Sequence, residues 1–371
     1  MGEVASEWLI FIIFLFCDFM PSLLVNLILF LIVCFFVNCQ QIPQCNKNRI
    51  LLFVAACQVV FFQTFKDVNS LPDIPGYVEA YRYICRDDAT YLNATGYYKM
   101  QYGYYFYNKL LSIISDNPYY FTFVTGCVIS LPYMFFIKKY SPIVWFSLAL
   151  YLMSFIQSTF VLRQYTAVAL CIISFPLLFK RKFVWNGLLW LIAMSIHPTA
   201  IFFGITYVLY FIRGKKLLLA FYISLFLLLY IGLPIMMQMF VDNVGGYDVY
   251  LENEALEYST FLIYLFIGGM GYIFLVFRKK EIPEETALMM KLLGVAVVVP
   301  LAATFSNALT VVPRLLLYIT FVQFVVIAKT LISIKVGLVR FVAYTLYTFI
   351  FFYQFYISES SRIFEFKLVF E

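Results

Sequence analysis

Residues 162–216 read LRQYTAVALCIISFPLLFKRKFVWNGLLWLIAMSIHPTAIFFGITYVLYFIRGKK, and this stretch decides the fold. It contains three apolar runs, separated by the basic cluster at 180–182 and by the pair His197-Pro198, and a second basic cluster follows at 213–216. Apolar segments bounded by Lys and Arg are typical of helices that cross a bilayer, with the basic residues on the cytoplasmic side. The stretch therefore predicts three membrane helices, with both basic clusters on one side and His197 on the other.

The composition of the whole chain favours the same fold class. Of the 371 residues, 64% are hydrophobic and 12% are charged, whereas a soluble domain has about 25% charged residues. We predict a single all-α, polytopic integral membrane domain over 1–371, with about twelve transmembrane helices of about 20 residues each, in a range of roughly 10–13. The predicted spans are 8–37, 50–65, 118–137, 142–160, 162–179, 183–197, 198–212, 217–237, 260–277, 287–305, 308–328 and 338–357.

The loops between these spans differ in charge and in length. Most basic residues fall in alternate, short loops, and most acidic residues fall in the other set of loops. The positive-inside rule then places two longer loops, 66–117 and 238–259, on the extracytoplasmic side. The end of the first, Gly103 to Ser115, has the pattern of an amphipathic helix on the membrane surface. Functional residues concentrate on such loops, so we expect an outward-facing site.

Arg163 and Arg314 fall at the same predicted depth, near the outer ends of separate spans. A cationic side chain at the centre of a bilayer-spanning helix is costly, by about 2.5–3.5 kcal/mol. The planar guanidinium group matches phosphate oxygens and stays charged. The pair therefore predicts a pocket for a diphosphate or another polyanion. The alternative for each arginine alone is a side chain that snorkels to the lipid head groups.

His197 is the one histidine of the chain and lies at that same depth. An imidazole titrates near neutral pH and can serve as a base, an acid or a phosphate donor. Asp73 lies in the turn sequence Leu71-Pro72-Asp73-Ile74-Pro75-Gly76, where its carboxylate can orient or deprotonate a hydroxyl group. The alternatives are a structural histidine between two short helices and a solvated loop acid.

Several classes of function lack their motifs in this sequence. There is no Walker A loop, no HExxH and no GxSxG. The eight cysteines form no Cys-x-x-Cys motif, and a single histidine gives no Cys/His metal cluster. Few ionisable residues fall near the centres of the predicted spans, which argues against an ion-coupled transporter. The net charge of +6 comes from short basic loops and indicates membrane topology, not nucleic-acid binding.

Four short motifs together resemble the EpsG family of Wzy-like polymerases of bacterial exopolysaccharide, capsule and O-antigen, over residues 50–330. They are Arg163-Gln164-x-x-Ala167, Ser195-Ile196-His197-Pro198-Thr199-Ala200, Arg314-x-x-x-Tyr318 and Asp73-x-x-x-Tyr77-x-x-x-Tyr81. One element departs from the family pattern, which often has Glu-x-Gly-Tyr where this chain has Gln101-Tyr102-Gly103-Tyr104. An amide cannot act as an acid or base, so this departure leaves the identity of the catalytic base open.

The resemblance implies a glycosyltransferase that joins polyprenyl-diphosphate-linked oligosaccharide repeat units, without a nucleotide sugar, at the outer face of the bacterial cytoplasmic membrane. Arg163 and Arg314 would bind the diphosphates, and His197 and Asp73 would be catalytic. The candidate glycan-binding residues are Gln164, Tyr77, Tyr81, Gln101, Tyr104 and Tyr318. No cofactor is implied, although the outer acidic residues leave a divalent metal open. The expected partners are the lipid-linked oligosaccharide, the bilayer and a chain-length regulator, with no nucleic acid.

Three alternatives stay open at the level of sequence. A ligase that moves finished glycan to lipid A or to a protein would share the same arginine and histidine chemistry. A flippase for lipid-linked oligosaccharides predicts charged residues along a central cavity. A non-catalytic assembly subunit predicts that Arg163, His197 and Arg314 tolerate substitution by alanine.

Overall fold

A computed structural model describes residues 22–69, 71, 73–86, 89–98, 100–244, 266, 282–305, 312–353, 355 and 367–369. Over these residues the chain is almost entirely helical, as the sequence predicts. The helices are α1 Ser22–Cys39, α2 Gln44–Thr64, α3 Ile74–Ile84, α4 Tyr91–Tyr98, α5 Tyr102–Ser112, α6 Pro118–Tyr140, α7 Val144–Ser154, α8 Ile156–Phe160, α9 Leu162–Phe179, α10 Phe183–Ile196, a 3-10 helix Pro198–Gly204, α11 Ile205–Phe211, α12 Lys215–Val244, α13 Glu284–Phe305, α14 Val312–Thr320, α15 Gln323–Ser333 and α16 Gly337–Tyr353.

Long apolar helices make the protein a multi-pass membrane protein. Within the described ranges, six helices are long and apolar enough to cross a bilayer: Ser22–Cys39, Gln44–Thr64, Pro118–Tyr140, Leu162–Phe179, Lys215–Ile235 and Glu284–Phe305. A seventh span results if α14 and α15, which meet at an angle of 58°, are taken as one broken span. The structure thus confirms the all-helical, polytopic class and does not confirm a count near twelve.

Short helices account for most of the difference in the count. The predicted spans at 142–160, 183–197, 198–212 and 338–357 correspond to helices that are shorter than 18 residues or are broken. The 14 residues of α10, at a rise of about 1.5 Å each, extend roughly 21 Å, less than the hydrocarbon thickness of about 30 Å. The predicted span 260–277 and the first 21 residues lie outside the described residues, except for Phe266.

The break after α10 follows from the pair His197-Pro198. A proline disfavours the helical conformation for the residue before it, and His197 accordingly has an extended backbone with φ −147° and ψ 122°. Pro198 then starts the 3-10 helix, where its missing N–H is not needed. The chain reverses there, which leaves His197 at an end of the bundle and outside both helices.

The bundle has two ends that differ in their residues. At the end that we call the basic end, α9 and α11 terminate together, with the rings of Phe179 and Tyr210 5.9 Å apart, and Arg213 pairs with Glu284 at 3.2 Å. At the end that we call the cavity end, α9 and α14 begin, and Gln164 donates to the carbonyl oxygen of Arg314. The sides of the helices expose large apolar residues, such as Leu228 and Phe341, as a lipid-facing surface does.

Three short helices, α3 to α5, lie within the predicted loop 66–117 at the cavity end. The Tyr81 hydroxyl donates to the carbonyl oxygen of Ser115, and Lys109 donates to the carbonyl oxygen of Ile84 at 3.1 Å. Helix α5 packs so closely on α10 that a Cβ at Gly103 would lie 2.8 Å from the Ser195 carbonyl oxygen. The expected helix from Gly103 to Ser115 is therefore present as α5, and its place at the membrane surface stays a prediction.

The remaining domain boundaries are not decided by the fold. Helix α12 continues to Val244, and the rest of the predicted loop 238–259 lies outside the described residues. The assignment of 1–371 to a single domain, and of both loops to the extracytoplasmic side, stays a prediction. A short pairing also joins distant parts of the chain at the cavity end, because Lys66 forms an isolated antiparallel β-bridge with Leu368.

Candidate functional site

A cavity of about 280 Å³ opens at the cavity end of the bundle. Residues from five separate segments form its wall, although they are far apart in the sequence. The wall consists of Asp73, Gly76, Tyr77, Ala80, Tyr98, Met100, Tyr104, Val161, Arg163, Gln164, His197 and Arg314. The structure thus brings together Asp73, His197 and both arginines, the four residues on which the sequence-based hypothesis depends.

The first turns of several helices lie next to the cavity. Arg163 and Gln164 lie in the first turn of α9, Arg314 lies in the first turn of α14, and Asp73 is the residue before α3. The N–H groups of a first turn have no partner within their own helix, and the helix dipole makes that end positive. One of these groups, the backbone N–H of Arg163, hydrogen-bonds to the Tyr77 hydroxyl. This arrangement favours an anionic ligand.

A short hydrogen bond fixes the two arginines relative to each other. Gln164 Nε2 donates to the carbonyl oxygen of Arg314 at 2.6 Å, between residues 150 apart in the sequence. Because Gln164 is buried and adjacent to Arg163, this bond ties the start of α9 to the start of α14. Both guanidinium-bearing residues therefore border the same cavity.

His197 is held by a second set of hydrogen bonds. Its Nδ1 atom lies 2.6 Å from Thr199 Oγ1, which also receives a hydrogen bond from Gln164 Nε2 at 3.2 Å. The Thr199 and Tyr318 hydroxyl oxygens are 3.1 Å apart. Burial, together with the charges of Arg163 and Arg314, lowers the pKa of His197 to about 3. The imidazole is therefore neutral at physiological pH.

Asp73 contributes a carboxylate to the wall of the cavity. Burial raises the pKa of the Tyr77 hydroxyl, the charge of Arg163 opposes this rise, and the charge of Asp73 adds to it. These influences require the three groups to lie close together. Among the residues that the structure describes, the wall carries two guanidinium groups and one carboxylate, and this charge balance favours an anion.

Comparison with models of protein families shows to which family the chain belongs. Residues 49–368 match the model of the EpsG family. The chain belongs to the EpsG family. EpsG proteins are Wzy-like polymerases, so the resemblance inferred from the four sequence motifs is confirmed. No curated protein and no solved structure matches the chain.

Two of the tyrosines predicted to contact glycan lie in the wall of the EpsG cavity. The rings of Tyr77 and Tyr104 pack edge to face, with centroids 5.9 Å apart. The Tyr104 hydroxyl oxygen is buried and has no hydrogen-bond partner among the described residues. Buried polar atoms are nearly always paired with protein, water or ligand. A ligand hydroxyl in the cavity is a suitable partner for this group.

Three other predicted glycan contacts in this EpsG protein do not line the cavity. Tyr81 is fully buried, stacks on Phe121 with centroids 4.7 Å apart and is bonded to the Ser115 carbonyl. Gln101 precedes α5 and does not belong to the cavity wall. Tyr318 is fully buried behind Thr199. These positions favour structural roles over contacts with a sugar, and the glycan-binding role itself stays a prediction.

The sequence analysis missed residues whose role depends on tertiary contacts. Met100 belongs to the wall, and Thr199 bonds His197, Gln164 and Tyr318 without lining the cavity. Thr199 was present in the quoted motif, two residues after His197, but it was not assigned a role. The signal that could have identified Thr199 is a hydroxyl side chain two residues from a candidate histidine.

Metal-ligand clusters are absent from the part of the chain that the structure describes, since no three His, Cys, Asp or Glu side chains come together there. Asp73 is the one carboxylate among the described residues of the cavity wall. The question of a divalent metal in this EpsG protein therefore stays open.

Proposed function

We propose that this EpsG protein is a polysaccharide polymerase that transfers a glycan from polyprenyl diphosphate to a sugar hydroxyl of a second lipid-linked repeat unit. The observation that supports this most strongly is that Arg163 and Arg314, from separate helices, border one cavity. The first turns of those helices add positive ends of helix dipoles. A diphosphate is the anion that this arrangement fits.

In the proposed reaction, the acceptor oxygen forms a bond to the anomeric carbon of the donor sugar. The bond between that carbon and the phosphate oxygen breaks, and the lipid diphosphate leaves with the electron pair. Arg163 and Arg314 stabilise the negative charge that develops on the leaving oxygen, which is the charge that fixed cations stabilise most in a transition state. Asp73, the carboxylate of the wall, accepts the hydroxyl proton.

The size of the cavity sets which part of the substrate it holds. Its volume of about 280 Å³ is near the lower end of small-ligand pockets, about 300–1,000 Å³. The cavity therefore holds the diphosphate and the reacting sugar, and the glycan and the polyprenyl chain extend beyond it. Exposed apolar residues on one side of α5, Tyr102, Phe106 and Leu110, offer a surface for the lipid chain.

The test of this function is the length of the polymer made in cells. Arg163→Ala and Arg314→Ala should each reduce long-chain polymer by about 10²–10³-fold, the usual loss for a group that stabilises transition-state charge. The matched control is Arg213→Ala at the basic end, where the arginine is exposed and pairs with Glu284, and we expect normal chains. Normal chain-length distributions in both cavity variants, at normal protein levels in the membrane, would refute the proposed site.

We place the cavity on the extracytoplasmic side of the bacterial cytoplasmic membrane, because the opposite end carries basic clusters such as Arg213, Lys215 and Lys216. In a background without the eight native cysteines, Asp73→Cys should react with a membrane-impermeant thiol reagent added to whole cells. Lys215→Cys should react only after the membrane is opened. The reverse pattern would move the cavity to the cytoplasm and would be incompatible with this location.

A further inference from the structure

Lys66 is a buried lysine to which the proposed reaction assigns no role. It follows α2 at the cavity end of the bundle, and its side chain is 1% exposed. It does not belong to the cavity wall. A lysine is almost never fully buried unless its amino group is paired, because the loss of hydration is costly. The partners of this amino group therefore indicate what Lys66 does.

The amino group of Lys66 bonds two oxygen atoms of the protein. Its Nζ atom donates to the carbonyl oxygen of Thr159 and, at 3.2 Å, to Oε1 of Gln63. Gln63 in turn donates from Nε2 to the Ser158 hydroxyl at 2.9 Å. Burial lowers the pKa of Lys66 to about 7, but an uncharged amine keeps two N–H groups for these two acceptors. The end of α2 is thus tied to α8 in either charge state.

The bonded carbonyl group belongs to a break between two helices. In an uninterrupted helix, Thr159 would accept a hydrogen bond from the N–H group four residues later, which is that of Arg163. Val161 lies between them with φ −91° and ψ 52°, outside the helical region, and belongs to neither α8 nor α9. The two groups have other partners. Lys66 donates to the Thr159 carbonyl oxygen, and the Arg163 N–H group bonds the Tyr77 hydroxyl.

This break determines where the chain presents Arg163. Val161 lines the cavity, and Arg163 lies in the first turn of the helix that starts after it. If α8 and α9 formed one continuous helix, the Arg163 N–H group would be bonded within that helix and not to Tyr77. A side-chain donor to the Thr159 carbonyl replaces the lost helical bond at the end of α8 and so stabilises the break.

The C-terminal residues of the chain hold the backbone around Lys66. Lys66 forms an antiparallel β-bridge with Leu368. Its two neighbours in the sequence form backbone hydrogen bonds of 2.7 and 2.9 Å with residues 367–369. The bridge therefore fixes the backbone from which the buried side chain extends.

We propose that Lys66 is a positioning residue that stabilises the break between α8 and α9 and thereby places Arg163 at the cavity. Residues 367–369 support this role by holding the backbone of Lys66. Lys66 lies outside the cavity wall, so it acts through Arg163 and not on the substrate. This inference rests on the proposed function only for the identity of the anion that Arg163 binds.

Hydrogen exchange tests the break itself. Lys66→Met keeps an unbranched apolar stem and removes the two hydrogen bonds of the amino group. In the full-length protein in lipid nanodiscs, the backbone amides of residues 156–163 should then exchange about 5-fold faster, the factor to which one hydrogen bond corresponds. The matched control is Lys291→Met, which removes a donor from helix-end carbonyl groups at the basic end and should leave this segment unchanged. Unchanged exchange of 156–163 in Lys66→Met would overturn the proposal whether or not the protein is a polymerase.

Inorganic pyrophosphate serves as the probe for the position of Arg163. Its affinity, measured by calorimetry, should fall by about 10-fold to 100-fold in Lys66→Met, because a displaced guanidinium group no longer fits the anion. The affinity should stay unchanged in Lys291→Met. A loss of thermal stability in Lys66→Met with unchanged affinity would contradict the positioning role. Faster exchange of 156–163 in the variant, together with an intact protein that does not bind pyrophosphate, would refute the diphosphate site and support the role of Lys66 in the break.

Deletion of residues 367–371 tests the same contacts with Lys66 in place, and it serves if Lys66→Met fails to accumulate in the membrane. The deletion should make Lys66 reactive toward an amine-acetylating reagent, detected by peptide mass spectrometry, and should lower the affinity for pyrophosphate by about 10-fold. The matched control is Lys367→Ala, which removes an exposed side chain and keeps the backbone bonds. An unreactive Lys66 would overturn the supporting role of the C-terminal residues. A reactive Lys66 with unchanged exchange and affinity would overturn the proposal.

Discussion

The two ends of the helix bundle both carry cationic residues, but they use them differently. At the basic end, Lys291 donates to the carbonyl oxygens of Leu209 and Ile212 at 3.0 and 2.8 Å, and Lys329 donates to the Thr286 hydroxyl at 2.7 Å. At the cavity end, Arg163 and Arg314 border open volume. A cation that donates to oxygens of the protein itself stabilises the fold, whereas a cation beside a cavity can bind a ligand.

The orientation of the helices explains the difference. Lys291 reaches the last carbonyl groups of α11, and Arg340 donates from Nε to the Ile334 carbonyl oxygen, just after α15, at 2.8 Å. Cations at such C-terminal ends satisfy carbonyl groups that have no partner within the helix. The cavity instead gathers helix N-termini, whose N–H groups attract anions. The polarity of the backbone at each end therefore determines whether the cationic side chains there stabilise the fold or are available to bind a ligand.

Replacing one acidic residue at each end should give the largest difference in polymer formation. Asp73→Asn removes the proposed proton acceptor and should lower the rate of polymer formation by about 10²–10⁴-fold, the usual contribution of general base catalysis. Glu284→Gln at the basic end removes only an exposed ion pair with Arg213, which contributes about 0–1 kcal/mol to stability. Polymer formation by membranes measured in parallel checks both, and equal activities in the two variants would contradict the role of Asp73.

Replacing arginine by lysine at each end should give a smaller effect. Arg314→Lys keeps the positive charge and loses the planar pair of donors that matches phosphate oxygens, so we expect about a 10-fold to 100-fold loss of polymer formation. Arg213→Lys keeps a surface charge and should leave activity unchanged. The affinity for inorganic pyrophosphate, measured by calorimetry, should fall for the first variant alone. An unchanged affinity in Arg314→Lys would show that charge alone suffices.

Replacing Lys291 should lower the stability of the protein and leave its activity unchanged. Lys291→Met leaves the carbonyl groups of Leu209 and Ile212 without a donor, which should lower the free energy of unfolding by about 1–3 kcal/mol. The activity per folded molecule should stay the same. Thermal unfolding in detergent, monitored together with activity, separates the two quantities. A loss of activity at full stability would show that the basic end also takes part in function.

The smallest expected effect belongs to Tyr104. Tyr104→Phe removes a hydroxyl oxygen that has no partner among the described residues, so the unfolding free energy should not decrease. Loss of one hydrogen bond to the glycan is worth about 0.5–1.5 kcal/mol, so KM for the lipid-linked substrate should rise several-fold at nearly constant kcat. A destabilised variant with unchanged KM would instead assign Tyr104 to the fold.

The sequence predicts the membrane class and several residues that meet at one cavity, for physical reasons. Ionisable residues are rare in apolar segments, so Arg163, His197 and Arg314 stand out in the sequence at the same predicted depth. The structure brings all three to one cavity. Thr199 was not visible, because a threonine in an apolar segment commonly bonds its own backbone. Its actual partner Tyr318 lies 119 residues away.

The number of spans and the outer wall depend on packing that local patterns do not contain. An apolar run predicts burial, but it does not distinguish a full membrane span from a short buried helix such as α10 or α11. Tyr98 and Met100 reach the cavity because α3, α4 and α5 fold over it. That arrangement depends on long-range contacts such as the approach of Gly103 to Ser195, which no local window reveals.

The pairing of Lys66 with Leu368 has a practical consequence for where a reporter can be attached. Asp67 N donates to the Lys367 carbonyl oxygen at 2.7 Å, and Val369 N donates to the Phe65 carbonyl oxygen at 2.9 Å. Residues 367–369 are thus held at the cavity end of the bundle, so a cysteine introduced at Lys367 should react with an impermeant thiol label from the same side of the membrane as Asp73→Cys. Such a label would report the compartment in which the glycan is extended while leaving every wall residue intact.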